Sequence, residues 1–173
     1  MAERFFILDE FDESLLSDVT ELYEKIDEQK NLRGGRVNVI INSPGGSADV
    51  LKAYLDAFEY AKKHDVIIGT FVTGEAASAG SILAINGTEG YRVIGRYGSH
   101  YIHWGQARVG SQSPGGAVRA FELTMKHYEF VLSQYKTHCK IPKLKKSLAD
   151  EHFTLSAEEC VAYGVADEIG VLA

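Results

Sequence analysis

Apolar positions along this chain alternate between short continuous runs and helically spaced sets. Phe5 to Leu8 is a short apolar run that reads as a first strand. Leu15, Leu16, Val19, Leu22, Tyr23 and Ile26 then recur at helical spacing behind a capping Asp12 or Ser14. Asn31-Leu32-Arg33-Gly34-Gly35 ends that helix. Arg36 to Asn42 is β-branched and almost continuously apolar at its end, which marks a buried strand. Ser43-Pro44-Gly45-Gly46-Ser47 reads as a turn. Val50, Leu51, Tyr54, Leu55, Phe58 and Ala61 build a second helix, closed by His64-Asp65. Val66 to Val72 is the next strand, and a helix follows Ser78. Tyr91 to Ile94 and Tyr101 to Trp104 read as two more short strands.

Strand, helix, strand, helix, strand is the signature of an α/β protein with a parallel sheet and crossover helices. Chemistry in such sheets collects beyond the C-terminal ends of the strands. Gly45-Gly46 and Ser78 both fall just after strands, so their loops are expected to share one mouth. The second half differs. Gly110 to Gly116 (GSQSPGG) is expected as an extended glycine-rich arm leading into a long helix, Ala117 to about Lys136. That helix carries Phe121, Met125, Tyr128, Phe130, Val131, Leu132 and Tyr135, more apolar surface than one packing face needs. A second contact surface, hence an oligomer element, is the expectation; a plain core helix is the alternative. The lysines at 140, 143, 145 and 146 suggest a solvated helical face. Ser156-Ala157-Glu158-Glu159 is a capping box opening a last helix. Gly164 ends it, and Val165 to Ile169 is expected as a final strand.

Composition narrows the function classes. The 173 residues suffice for one domain, and no repeat or linker divides them. A net charge of −6 supplies no basic footprint, so neither nucleic acid nor an acidic membrane surface is an expected partner. No run approaches the ~20 apolar residues of a membrane span. The opening residues lack the layout of a signal peptide. Cys139 and Cys160 lack metal spacing and read as free thiols in a reducing cytoplasm. The histidines form no H-E-x-x-H, so neither a metal site nor a cofactor is expected.

Three segments carry candidate chemistry. In Thr73 to Ile85, Ser78 is set among alanines and glycines where a strand meets a helix. The pattern is a relative of G-x-S-x-G with Ala76 in place of the first glycine. Nearby N–H groups of the helix start have no helical partner. A nucleophile and a packing serine are both compatible with it. Ser43-Pro44-Gly45-Gly46 presents unobstructed backbone N–H groups, which suits an oxyanion hole. It also suits a phosphate loop, though the lysine of such loops is missing, and a plain tight turn is the third reading. His103, on an aromatic strand, is either a packed core residue or a general base that needs a serine and an orienting group nearby. His100 is expected at the strand edge.

Taken in order, Ile40-Ile41-Asn42-Ser43-Pro44-Gly45-Gly46-Ser47, Gly74-x-Ala76-Ala77-Ser78-x-Gly80, Ile102-His103, Leu155 to Glu159 and Tyr163-Gly164-Val165-Ala166-Asp167 resemble the proteolytic subunit of the Clp protease family. The resemblance spans about Phe5 to Ile169. It implies a single domain over residues 1–173 with a crotonase-like fold of repeated β-β-α units and a protruding handle at about 106–140. It implies a serine endopeptidase acting on peptide or unfolded polypeptide inside stacked homo-oligomeric rings. The family's nucleophile falls on Ser78, its base on His103, and its oxyanion donors on the N–H groups of Gly46 and Ala79. The 110–116 arm would align an extended substrate.

Two departures stand out. The family's aspartate lies four residues before the serine of its Ser-Ala-x-Glu block, and counting back from Ser156 reaches His152. If Thr154 is the matching hydroxyl, Asp150 falls at that distance. Asp150 is the expected acid, with Glu151 beside it and a Ser-His-His arrangement through His152 as the rival. The family's axial pore-loop segment is also expected to be absent or very short, which weighs against docking of an AAA+ ATPase and favours a stand-alone peptidase. The departures keep two other functions open: a ring subunit that assembles without cutting, and an acyl-CoA enzyme of the crotonase type.

Overall fold

A computed structural model describes residues 2–105, 113–145 and 152–171. The order is β1 (Glu3–Ile7), a 3-10 turn (Glu13–Leu15), α1 (Leu16–Gln29), β2 (Arg36–Ser43), α2 (Ala48–Lys63), β3 (Ile67–Ala77), α3 (Ala79–Ile85), β4 (Arg92–Ile94) and β5 (Ser99–His103). Then come α4 (Pro114–His138), β6 (His152–Ser156), α5 (Ala157–Ala162) and β7 (Glu168–Ile169). β1-β2-β3-β4-β7 run parallel in that spatial order. Val37, Val39 and Ile41 of β2 are fully buried, as their apolar run requires. Tyr54 of α2 lies at the core's centre, edge-on to Phe5 and Phe11.

β3 is the element that places the site. It continues to Ala77, five residues beyond the expected Val72, because its far half has partners of its own. One edge pairs with β2; the other pairs with β4 at Thr70–Val72 and with β5 at Glu75–Ala77. Between Ile41 and Ser43 the β2 register slips, so Ile41 faces Val72 while Ser43 faces Ala76. Asn42 occupies the slip, its Oδ1 accepting from Glu75 N–H at 3.0 Å. Gly74 sits at φ 118°, and a Cβ there would fall 2.7 Å from Asn42 Oδ1. Only glycine fits both restrictions.

Other boundaries also move. α4 begins at Pro114, so Pro114-Gly115-Gly116 is helix rather than extended arm. Proline is pre-set for a first helical position, and Ser113 Oγ caps by accepting from Gly116 N–H at 3.2 Å. The arm's remainder up to Gln112 lies outside the described residues. β5 ends at His103, before Trp104. The last strand shrinks to two residues because the N–H groups of Val165 and Ala166 turn back to the Cys160 carbonyl.

β7 is held by a buried ion pair. Asp167 Oδ2 accepts from Gly90 N–H (2.7 Å), Arg92 N–H (2.9 Å) and Arg92 Nε (3.1 Å), and Oδ1 accepts from Arg92 Nη2. Burial alone would raise this carboxyl; the Arg92 side-chain and backbone bonds outweigh it and hold it below the ordinary range. Its stabilisation is therefore complete above the usual aspartate pKa and lost as pH falls through the lower folded value. Arg92→Met leaves the half-buried Asp167 carboxylate without its guanidinium, and is expected to lower unfolding free energy by about 1–3 kcal/mol in urea titration at neutral pH.

Candidate active site

Two turns interlock where β2 and β3 end. Ser43 Oγ donates to the Asp9 carbonyl at 2.6 Å and accepts from Gly45 N–H at 3.1 Å, which fixes the Ser-Pro-Gly-Gly turn. A Cβ at Gly80 would sit 3.3 Å from Ser43, and one at Gly45 only 2.6 Å from Ser78 Cβ. The glycines of each turn thus make room for the serine of the other. Ser78 itself has φ 52° and ψ −116°, a conformation that strains a residue with a side chain. It is locked there by its N–H donating to the Tyr101 carbonyl at 2.9 Å and its carbonyl accepting from Ile82 N–H at 3.1 Å. The side chain is half-buried.

The Ala79 N–H lies where the two turns meet, 3.0 Å from where a Cβ at Gly45 would sit. Ala79 is the first residue of α3, so its N–H has no helical acceptor. Phe11 donates its N–H to the Gly45 carbonyl and accepts from Ser47 N–H, in a parallel bridge to Gly46. That pattern turns Gly46's own N–H away from Phe11, toward the β3 side where Ser78 lies.

His103 ends β5. Ala77 pairs with Tyr101, so Ser78, one residue on, and His103, two residues on, stand on adjoining strand ends. No hydrogen bond joins their side chains among the described residues. Such contacts are often long in a substrate-free protein and tighten on binding. Across the antiparallel β5–β6 ladder His103 faces His152 directly. The Tyr101 ring lies 5.5 Å from that of His103 and stacks on His152 at 5.2 Å. Burial, then His152, then His127 of α4 lower the His103 pKa. Asp150 and Glu151 lie outside the described residues. Among the described residues no group of three or more His, Cys, Asp or Glu is placed to hold a metal ion.

The Clp protease family model matches residues 2–172. The chain belongs to the Clp protease family. Relatives include the ATP-dependent Clp protease proteolytic subunits of Streptococcus pyogenes serotypes M5 (strain Manfredo), M49 (strain NZ131) and M3 (strain SSI-1). Each is 32% identical over 148 residues, which covers 83% of this chain and 72% of the relative. The mixed α/β sheet agrees with a Clp protease fold, and membership supports a serine-type peptidase.

Two histidines of this Clp protease chain sit differently from what their sequence neighbours suggest. His100, expected at an edge, is buried. Its Nδ1 is 2.8 Å from Ser81 Oγ, to which Tyr135 of α4 donates at 2.7 Å. Burial lowers the His100 pKa to about 3, so it stays a neutral packing residue. A histidine flanked by Ser99 and Tyr101 gives no sign of the hydroxyl partner that awaits it on another helix. His127 carried no signal either. It lies so close to the β5 exit that a Cβ at Gly105 would fall 2.8 Å from its Nε2. Among the described residues no helix is long and apolar enough to cross a membrane.

The Gly45–Ser78 contact makes a sharp test. Gly45→Ala pushes a methyl against Ser78 Cβ and the Ala77 carbonyl. Displacing a reacting atom by about 1 Å costs on the order of 10²-fold in rate. Reaction of Ser78 with a serine-directed phosphonylating reagent should slow by about that factor, read by intact-protein mass, while α-helical circular dichroism stays unchanged.

Proposed function

We propose that this protein is a serine endopeptidase that cuts peptides or unfolded polypeptide by an acyl-enzyme mechanism inside a self-assembled ring. The observation that carries it is the strained Ser78 elbow, pinned to the strand that ends in His103 and backed by free N–H groups. Ser78 Oγ attacks the substrate carbonyl, and His103 takes its proton and returns it to the leaving amine. The Gly46 and Ala79 N–H groups receive the oxyanion. Water then releases the acyl group by the same route. The relatives' name, proteolytic subunit, points the same way. Its "ATP-dependent" makes an AAA+ ATPase the partner to test, alongside a stand-alone mode.

Helix α4 supports assembly. Its first half exposes Val118, Phe121 and Leu123, each more than half accessible, while Val131, Leu132 and Tyr135 of the second half are buried. A helix that docks by one half and projects an apolar other half suits a handle between copies. Two free cysteines, Cys139 and Cys160, both raised to about 12 by burial, suit a cytoplasmic protein. One observation favours a second reading, a subunit that assembles without cutting: His152 faces His103 where an acid was expected.

A fluorophosphonate should label the assembled protein at Ser78, and Ser78→Ala should abolish both labelling and peptide cleavage. Cleavage that is equally fast in Ser78→Ala rejects the peptidase reading in favour of the silent subunit. Replacing Phe121 and Leu123 by serine should lower the assembled mass in sedimentation velocity while leaving the far-ultraviolet spectrum intact.

A further inference from the structure

Directly opposed residues of an antiparallel pair present their side chains on one face, with Cβ atoms roughly 4.5–5.5 Å apart. His103 and His152 are such a pair. The buried Ile102 points to the other face, so the half-buried His103 and exposed His152 share the solvent-side face with Tyr101. The Tyr101 ring reaches both imidazoles and stacks on His152 with 30° between planes. His152 is thus presented to the base in register and with its plane supported.

We infer that His152 is the positioning residue of the catalytic base, giving a Ser78-His103-His152 relay in which an imidazole stands at the position reached by counting four residues back from Ser156. This rests on the peptidase reading above. When Ser78 attacks, its proton passes to one ring nitrogen of His103, and the other ring N–H donates to the unprotonated nitrogen of His152. No further proton is moved, and the cation that forms is oriented and shared by hydrogen bonding. A neutral imidazole stabilises that cation less than a carboxylate does. Once protonated, His152 repels it.

Among the described residues the groups near His103 are few. Tyr101 lies on its own strand, His152 on β6, Ser78 at the end of β3, and His127 on α4 with Lys52 of α2 acting on it. Burial lowers His103 most, and the two neighbouring histidines lower it further.

The experiment measures Ser78 phosphonylation and peptide kcat/KM from pH 5 to 9 in the assembled full chain. The acid limb of the wild type should follow His103, below the ordinary imidazole range. His152→Asn should lose about tenfold or more at the plateau. His152→Asp should regain wild-type rate or exceed it, with its limb moved to higher pH because the carboxylate favours the His103 cation. Asp150→Asn, Glu151→Gln and His127→Gln should stay within about twofold at the plateau. A His152→Asn plateau equal to that of the wild type, or a His152→Asp limb that does not move to higher pH, overturns the relay. So does a tenfold loss confined to Asp150→Asn or Glu151→Gln. Should His152→Asn fail to assemble, the plateau and limb of His152→Asp still decide. Absence of any label at Ser78 in the wild type rejects the peptidase reading itself, a different result from labelling that ignores residue 152.

Discussion

The site hangs on the slip between β2 and β3. A regular parallel pair would carry both strands on in step, and the outer edge of β3 would follow β4 throughout. Asn42 stops that by accepting Glu75 N–H with its side chain, while Gly74 turns through a conformation closed to other residues. The far half of β3 then reaches β5, and Ser78 arrives beside the strand that ends in His103. The same slip sets Ser43 opposite Ala76 and brings the two glycine turns into contact. The placement of Ser78, the two glycine turns and His103 thus follows from one local departure from the ladder.

A second constraint lies behind the serine. His100, Ser81 and Tyr135 form a buried chain of hydrogen bonds from β5 through α3 to α4. Buried polar groups are costly when unpaired, so each fixes the others' positions. Ser81 is three residues past Ser78 and His100 three before His103. The network ties the two strand-end residues to each other from within, and ties both to the long helix.

Much of this was legible in the sequence because it rests on local chemistry. Apolar runs located β1, β2 and the first part of β3. Small residues around Ser78 and Ser43-Pro44-Gly45-Gly46 marked the two turns. The hidden parts depend on partners distant in sequence. β3 looked as if it ended at Val72 because Thr73-Gly74-Glu75 are exposed and not apolar; only pairing with β5 makes them strand. Pro114-Gly115-Gly116 looked like a loop because glycine disfavours helices, yet at a first turn Pro114 and the Ser113 cap reverse that preference. His100 and His127 owe their places to α4, which no neighbouring residue announces.

That dependence on α4 ties assembly to chemistry. The helix's second half carries Tyr135 into the network behind Ser78 and His127 to the exit of β5. Its first half projects the apolar surface that the proposed assembly would cover. A helix is stiff along its axis, and Val131, Leu132 and Tyr135 clamp this one to the core. Burial of Phe121 and Leu123 against another copy therefore fixes the direction of the helix. It thereby steadies the hydrogen-bonded groups that hold the nucleophile's helix and the base's strand. An isolated chain, with half of α4 in water, lacks that restraint. The proposed assembly would supply it, so assembly and reactivity at Ser78 are expected to appear together.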